Sequence, residues 1–241
     1  MSEKKLVAVT GASSGIGAAT AQAFSRAGHP VLMMARRVDR MEEMGLDNAV
    51  IRKVDVRQRE EINAAVAETE ALHGPVDMMF ANAGIARLAD IGRQPPEEWD
   101  EMIDINTKGV LNSVHAVMAG MMARRSGTLV MMSSIAGRKV YPDHTVYCGT
   151  KFFVHAVSES LREYLSGYDV RVIVISPGVI ETEVLSGVLD AETLANYKAN
   201  KVKMGGGIGP EHVADLILNA YNLPQKALVQ EICLTPTRQT Y

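Results

Sequence analysis

Tyr147 and Lys151 stand four residues apart, and Ser134 precedes the tyrosine by thirteen. At that spacing on a helix, phenol and amine share one face. A neighbouring ammonium favours the phenolate and draws a pKa of roughly 10 towards neutrality, so such a tyrosine can give or take a proton at physiological pH. Ser134 follows an apolar run, Gly127 to Met132, that reads as a buried strand, and its hydroxyl can reach the same substrate oxygen. Spacing alone is weak. Tyr197 and Lys201 repeat it, but position 184 is Val and the surroundings are polar, so a solvated helix face is expected there.

The elements that must position this group begin at the N-terminus. Lys5 to Thr10 is a short apolar strand, followed at once by Gly11-Ala12-Ser13-Ser14-Gly15-Ile16-Gly17. Beyond it Ile16, Ala19, Ala23, Phe24 and Ala27 recur at helical spacing up to Gly28, a C-terminal cap. A glycine turn between strand and helix lets a pyrophosphate approach the backbone and meet the helix N-terminus, with Ser13 and Ser14 adding hydroxyl donors. About 20 residues beyond such a turn, NAD-binding folds carry an acidic residue against the ribose 2′-hydroxyl. Here Ala35 closes the second strand, Val31 to Ala35, and Arg36 and Arg37 follow. Guanidinium groups in place of a carboxylate suit a 2′-phosphate, hence NADP(H).

A third strand, Asn48 to Val54, leads to Asp55 and Val56, placed to meet an adenine edge. An amphipathic helix, Gln58 to His73, precedes a fourth strand, Pro75 to Phe80, which runs into Asn82-Ala83-Gly84. Pro95 to Arg124 reads as one long helix, in which Asn106 is a polar insertion expected to bend it and hold a water near the site. After the Ser134 to Lys151 segment and its helix, a sixth strand (Val170 to Ile175) ends at Pro177-Gly178-Val179-Ile180-Glu181-Thr182. Ligands of open parallel sheets sit at such strand ends. Residues 183–209 have weak periodicity and read as a mobile substrate lid, with Gly205 to Gly209 as hinge. Lys198, Lys201 and Lys203 there could attract a carboxylate. A last helix (Glu211 to Tyr221) and a seventh strand (Ala227 to Leu234) follow. Met33/Met34, Met78/Met79 and Met131/Met132 each lie within a strand, where continuous apolar runs mean burial on both faces.

Strand alternating with helix over 241 residues fits a single α/β unit, residues 1–241. A formal charge of -3 with no basic tract excludes a nucleic-acid footprint, and no apolar stretch approaches a membrane span or a signal peptide. No metal spacing occurs; Cys148 and Cys233 read as reduced thiols of a cytoplasmic protein.

Six patterns in order resemble the short-chain dehydrogenase/reductase family: Thr10 to Gly17, Asn82 to Gly84, Asn106, Ser134, Tyr147 to Lys151, and Pro177 to Thr182. Two positions depart from it. Ala81 stands where the family often has Asn, and Ser14 where some NADP-preferring members carry a basic residue, which leaves the 2′-phosphate to Arg36 and Arg37. The resemblance implies a Rossmann-type three-layer sandwich: a seven-stranded parallel sheet in the order 3-2-1-4-5-6-7 with helices on both faces. It implies hydride transfer between NADP(H) and a small hydroxy or carbonyl compound, with Tyr147 as acid or base and Ser134 steadying the substrate oxygen. Lys151 would hold the nicotinamide ribose, Asn106 a water linking Lys151 to solvent, and Ile180 and Thr182 the carboxamide. A homotetramer or homodimer built on two long helices is also implied. Within the family the chain is similar to NADP-dependent 3-hydroxy acid (serine or allo-threonine) dehydrogenases and to NADPH-binding blue fluorescent proteins. Carbonyl or quinone reduction, and non-catalytic NADPH binding, are the alternatives.

Overall fold

The apolar runs form strands whose two faces are both covered. In the computed structural model, which describes residues 4–240, seven strands make one sheet in the order β3-β2-β1-β4-β5-β6-β7. They are β1 (Leu6–Thr10), β2 (Val31–Ala35), β3 (Ala49–Lys53), β4 (Val76–Ala81), β5 (Gly127–Met132), β6 (Val170–Pro177) and β7 (Glu231–Leu234). Every pairing is parallel. Side chains alternate between two cores, as a pleat with period two requires. Leu6, Ala8, Met34, Met79 and Met131 face one core, and Val7, Val9, Met33, Met78 and Met132 the other. The methionine pairs therefore divide between the faces and fill both, as expected from packing alone.

Helices close each face. On the first lie α3 (Arg59–His73), α5 (Gly109–Arg124) and α6 (Thr145–Ser166), through Ile62, Val66, Val114, Met121 and Val154. On the second, α1 (Gly15–Arg26) and α8 (Pro210–Tyr221) bring Phe24, Val213 and Ile217. The result is a Rossmann-type α/β domain with helices on both faces. Gly28 ends α1 as expected, at φ 87°, its N–H donating to the Ser25 carbonyl at 2.8 Å.

Most strand and helix ends fall within two residues of the sequence reading, and four larger differences stand out. A short helix, α2 (Val38–Glu42), follows Arg37; five residues are too few to show a period. The 95–124 run is α4 (Pro96–Ile103) and α5 joined by a π turn, Asp104–Lys108, so the irregularity at Asn106 is a stretch of π register. β7 is limited to Glu231–Leu234, the stretch that finds partners on β6 from Val174 to Pro177. Residues 183–209 hold a 3-10 turn (Glu183–Gly187) and a helix, α7 (Ala191–Lys203), capped by Asp190, whose carboxylate accepts from the Thr193 N–H at 2.8 Å. The glycines that follow do form a turn, with positive φ at Gly205 and Gly206, and Ile208 bridges back to Ile180. Residues 1–3 and Tyr241 lie outside the described residues. Among those described, no helix is long and apolar enough to cross a membrane.

Candidate functional site

All the strands point the same way, so the loops after β1, β2, β4, β5 and β6 gather at one edge of the sheet, around a cleft of about 550 Å³. Packing fixes the first of them. A Cβ on Gly11 would sit 2.8 Å from the Ala83 Cα, and one on Gly17 would sit 2.4 Å from the Gly11 carbonyl oxygen. Asn82 secures this contact, its amide donating to the Thr10 carbonyl at 2.9 Å. The N-terminus of α1 opens into the cleft at Ser14 with no side-chain cap, and its first turn carries no acidic residue. Its N–H groups thus keep their capacity for an anion.

Arg36 and Arg37 line the cleft beyond Ala35. Arg37 is anchored: Nη2 donates to Ser14 Oγ at 2.8 Å, Nε to Ser13 Oγ at 3.3 Å and Nη1 to Glu183 at 3.1 Å. The two serine hydroxyls accept these bonds and still have their own protons to donate. Asp55 and Val56 form the far wall. Arg57, bonded to both Asp55 oxygens at 3.0 Å, holds that carboxyl below its usual range. The residue types and the open backbone at this edge fit a dinucleotide carrying an extra phosphate.

Ser134 follows β5, and Tyr147 and Lys151 stand on the first turns of α6, all three in the wall of the same cleft. Ser134 hydrogen-bonds the Tyr147 hydroxyl. Lys151 is 4% exposed, donates to the Met132 carbonyl at 3.0 Å, and lies 5.6 Å from the Tyr147 ring centroid. This geometry corrects the expected titration. Lys151 sits over the face of the ring rather than beside the hydroxyl, and burial lowers its own pKa to about 8. Burial likewise raises the Tyr147 pKa, against the smaller lowering from Ser134, so at neutral pH the tyrosine is a phenol.

Ile180, Thr182, Pro177 and Gly178 supply the wall after β6, and Asn82, Ala83 and Gly84 that after β4. Of the residues expected at the site, two stay out of the cleft wall. Gly17 packs against the turn behind it, and Asn106 is 1% exposed. The Asn106 amide is spent on protein: Oδ1 accepts from the Ile85 N–H, and Nδ2 donates to the Ile85 carbonyl, both at 2.9 Å, and to Thr150 at 3.2 Å. Its oxygen and Lys151 Nζ nonetheless both flank Gly84, where a Cβ would meet them at 3.3 and 3.6 Å.

Several wall residues went unforeseen. Tyr197 and Lys201 line the cleft, so the second Tyr-x-x-x-Lys is no solvated face. Tyr197 packs beside Tyr147, and Lys201 pairs with Glu181. Lys198 and Lys203 do point to solvent and away from the cleft. Tyr141, His144 and Arg87 complete this end, and Gln239 reaches in from the C-terminal tail to accept from the Val179 N–H at 3.0 Å. No local pattern announces them; the fold alone brings them in. Among the described residues, no cluster of side chains could hold a metal ion.

The short chain dehydrogenase family profile matches residues 5–193. An uncharacterized oxidoreductase of Staphylococcus saprophyticus is 35% identical over 246 residues, spanning 98% of this chain and 97% of its own. Two solved structures are also similar. A closed form of serine dehydrogenase complexed with NADP⁺ superposes with a TM-score of 0.90 at 33% identity, covering 98% of this chain and 96% of that one. Serine dehydrogenase from Escherichia coli gives 0.85 at 31% identity, covering 98% and 100%. With its sheet order, its glycine turn and its Ser134, Tyr147 and Lys151 in one cleft, the chain belongs to the short-chain dehydrogenase family of oxidoreductases.

Proposed function

We propose that the protein is an NADP(H)-dependent oxidoreductase that interconverts a small carbonyl compound and its alcohol. The observation that carries this reading is the convergence of Ser134, Tyr147 and Lys151 on the cleft that also receives the uncapped N-terminus of α1. Bound NADPH would supply a hydride to the carbonyl carbon and leave as NADP⁺. The chain supplies the rest. Tyr147, neutral at pH 7, gives its proton to the carbonyl oxygen, completing the alcohol, and takes one back in the reverse direction. Ser134 donates to the same oxygen while negative charge develops there. Lys151, beneath the ring, stabilises the phenolate that remains and would hold ribose hydroxyls of the bound cofactor. Asn106 fixes the backbone of Ile85 in the wall, and a water beside it would link Lys151 to solvent, a route by which the proton given up by Tyr147 is replaced. The Ile180 N–H and Thr182, in the cleft wall, would hold the carboxamide.

Preference for NADP(H) over NAD(H) rests on Ala35, Arg36 and Arg37 after β2. The neighbouring structures named serine dehydrogenase make a 3-hydroxy acid one candidate substrate, beside other small carbonyl compounds and alcohols. We further propose that residues 183–209 act as a lid hinged at Gly205 and Gly206, and that the protein works in the cytoplasm as a homotetramer or homodimer. The exposed Leu111 on α5 and Phe152 on α6 support an interface on those helices. Tyr147→Phe tests the chemistry: NADPH binding should persist while most turnover is lost, and comparable turnover in the variant would refute the acid–base role.

A further inference from the structure

Past Tyr147, away from the glycine turn, the cleft continues into a pocket walled by aromatic and aliphatic side chains. Tyr147 and Tyr197 pack with Leu88, Leu185 and Val188. His144 lies nearly parallel to Tyr197, with ring centroids 6.5 Å apart and planes at 25°, and meets Tyr147 edge-on at 6.2 Å. A flat uncharged group fits among such rings.

The basic side chains of this pocket are all engaged. Arg87 pairs with Glu101 at 3.0 Å, Lys201 with Glu181, and His144 with Asp143 at 2.7 Å. Lys151 lies beneath Tyr147 and donates to the Met132 carbonyl. The remaining cationic wall residues, Arg36 and Arg37, follow β2 near the glycine turn. The field here also disfavours negative charge. Burial, then Glu181 and Tyr141, push the Tyr197 phenol up to about 12. A ligand carboxylate would have to compete with Glu101 for Arg87 or with Glu181 for Lys201.

We infer that this end of the cleft takes the aryl or short alkyl group of an uncharged ketone or aldehyde, or of the matching alcohol, in preference to a hydroxy acid. Tyr197 is the specificity-determining wall. The inference rests on the oxidoreductase reading above and departs from the substrate in the names of its structural neighbours.

Three ketones that differ in charge or size alone test it: acetophenone, 4-acetylbenzoate and the methyl ester of the latter, each reduced with NADPH. The expected result is turnover of acetophenone and the ester, with kcat/KM for the acid at least tenfold below the ester. Glu101→Gln or Glu181→Gln, by releasing Arg87 or Lys201, should narrow that ratio at least fivefold. Tyr197→Ala should raise KM for acetophenone at least fivefold and leave kcat nearly unchanged. An acid reduced as well as its ester overturns the inference, as does loss of acid and ester together, which would mark size rather than charge. A parallel assay with NADP⁺ and 3-hydroxypropionate separates the two levels of reading. Turnover there without any ketone reduction overturns the neutral-substrate inference and keeps the oxidoreductase. Silence in every assay, with NADPH still bound, overturns both.

Discussion

Replacing Lys151 with methionine should make the ligand-free protein more stable while removing its activity. The lysine is charged where charge is disfavoured: burial moves its pKa from 10.5 to about 8. A lowering of about two to three units corresponds to on the order of 3 kcal/mol against the folded state at pH 7. Methionine fills a similar volume without that charge, and the Met132 carbonyl loses its 3.0 Å donor, at a cost of about 1–2 kcal/mol. The net expectation is a gain of on the order of 1–2 kcal/mol at pH 7. Its pH dependence identifies the cause. Unfolded, the lysine keeps its proton up to about pH 10.5, whereas folded it releases it near pH 8. Between those values the unfolded state binds more protons, so the parent gains stability as pH rises and the variant's advantage fades. Urea unfolding of both proteins at pH 7, 8.5 and 10, at one protein concentration, measures this directly. A variant less stable than the parent at pH 7, or an advantage undiminished at pH 10, would refute the desolvation argument.

Arg36 lines the cleft and its charge helps to hold Asp55 ionised. Arg36→Asp should weaken NADPH binding by about tenfold or more and narrow the margin over NADH, measured by cofactor titration; unchanged affinity would remove the 2′-phosphate assignment. Two glycine substitutions should move thermal stability in opposite directions. Gly109→Ala places a Cβ 2.7 Å from Val56 Cγ2, so overpacking of about 1–3 kcal/mol exceeds the roughly 1 kcal/mol helix gain and lowers the Tm. Gly149→Ala, exposed in α6 with nothing within 4 Å, should raise the Tm through a stability gain of about 0.5–1 kcal/mol. The same sign for both would defeat the steric argument.

The sheet was legible because most of its strands are short apolar runs, and because β1, β4, β5, β6 and β7 lead into glycine- or proline-bearing loops. Period-two burial then explains residues such as Met33 and Met34 without further assumptions. The less legible parts are those where tertiary contact decides. Asn106 betrayed an irregularity by its polarity, but the π turn, and the use of its amide on Ile85, depend on a loop twenty-one residues away. The tail shows the same limit. Nothing local in Pro236 to Thr240 says that Gln239 will reach the Val179 N–H.

The two Tyr-x-x-x-Lys pairs show why spacing is insufficient as a chemical argument. On α7 the lysine turns to Glu181 and the phenol packs against His144, so the pair is divided between an ion pair and an aromatic wall. On α6 the lysine is buried beneath a partly buried phenol, and what separates this pair from the one on α7 is the burial of Lys151 together with Ser134. Burial has a consequence opposite to the one spacing implies. It holds Tyr147 as a phenol at neutral pH and lowers Lys151 to about 8. A proton donor is then ready before any substrate arrives, which suits carbonyl reduction. Alcohol oxidation must first remove that proton, and its rate should therefore climb with pH more steeply than the reduction rate does.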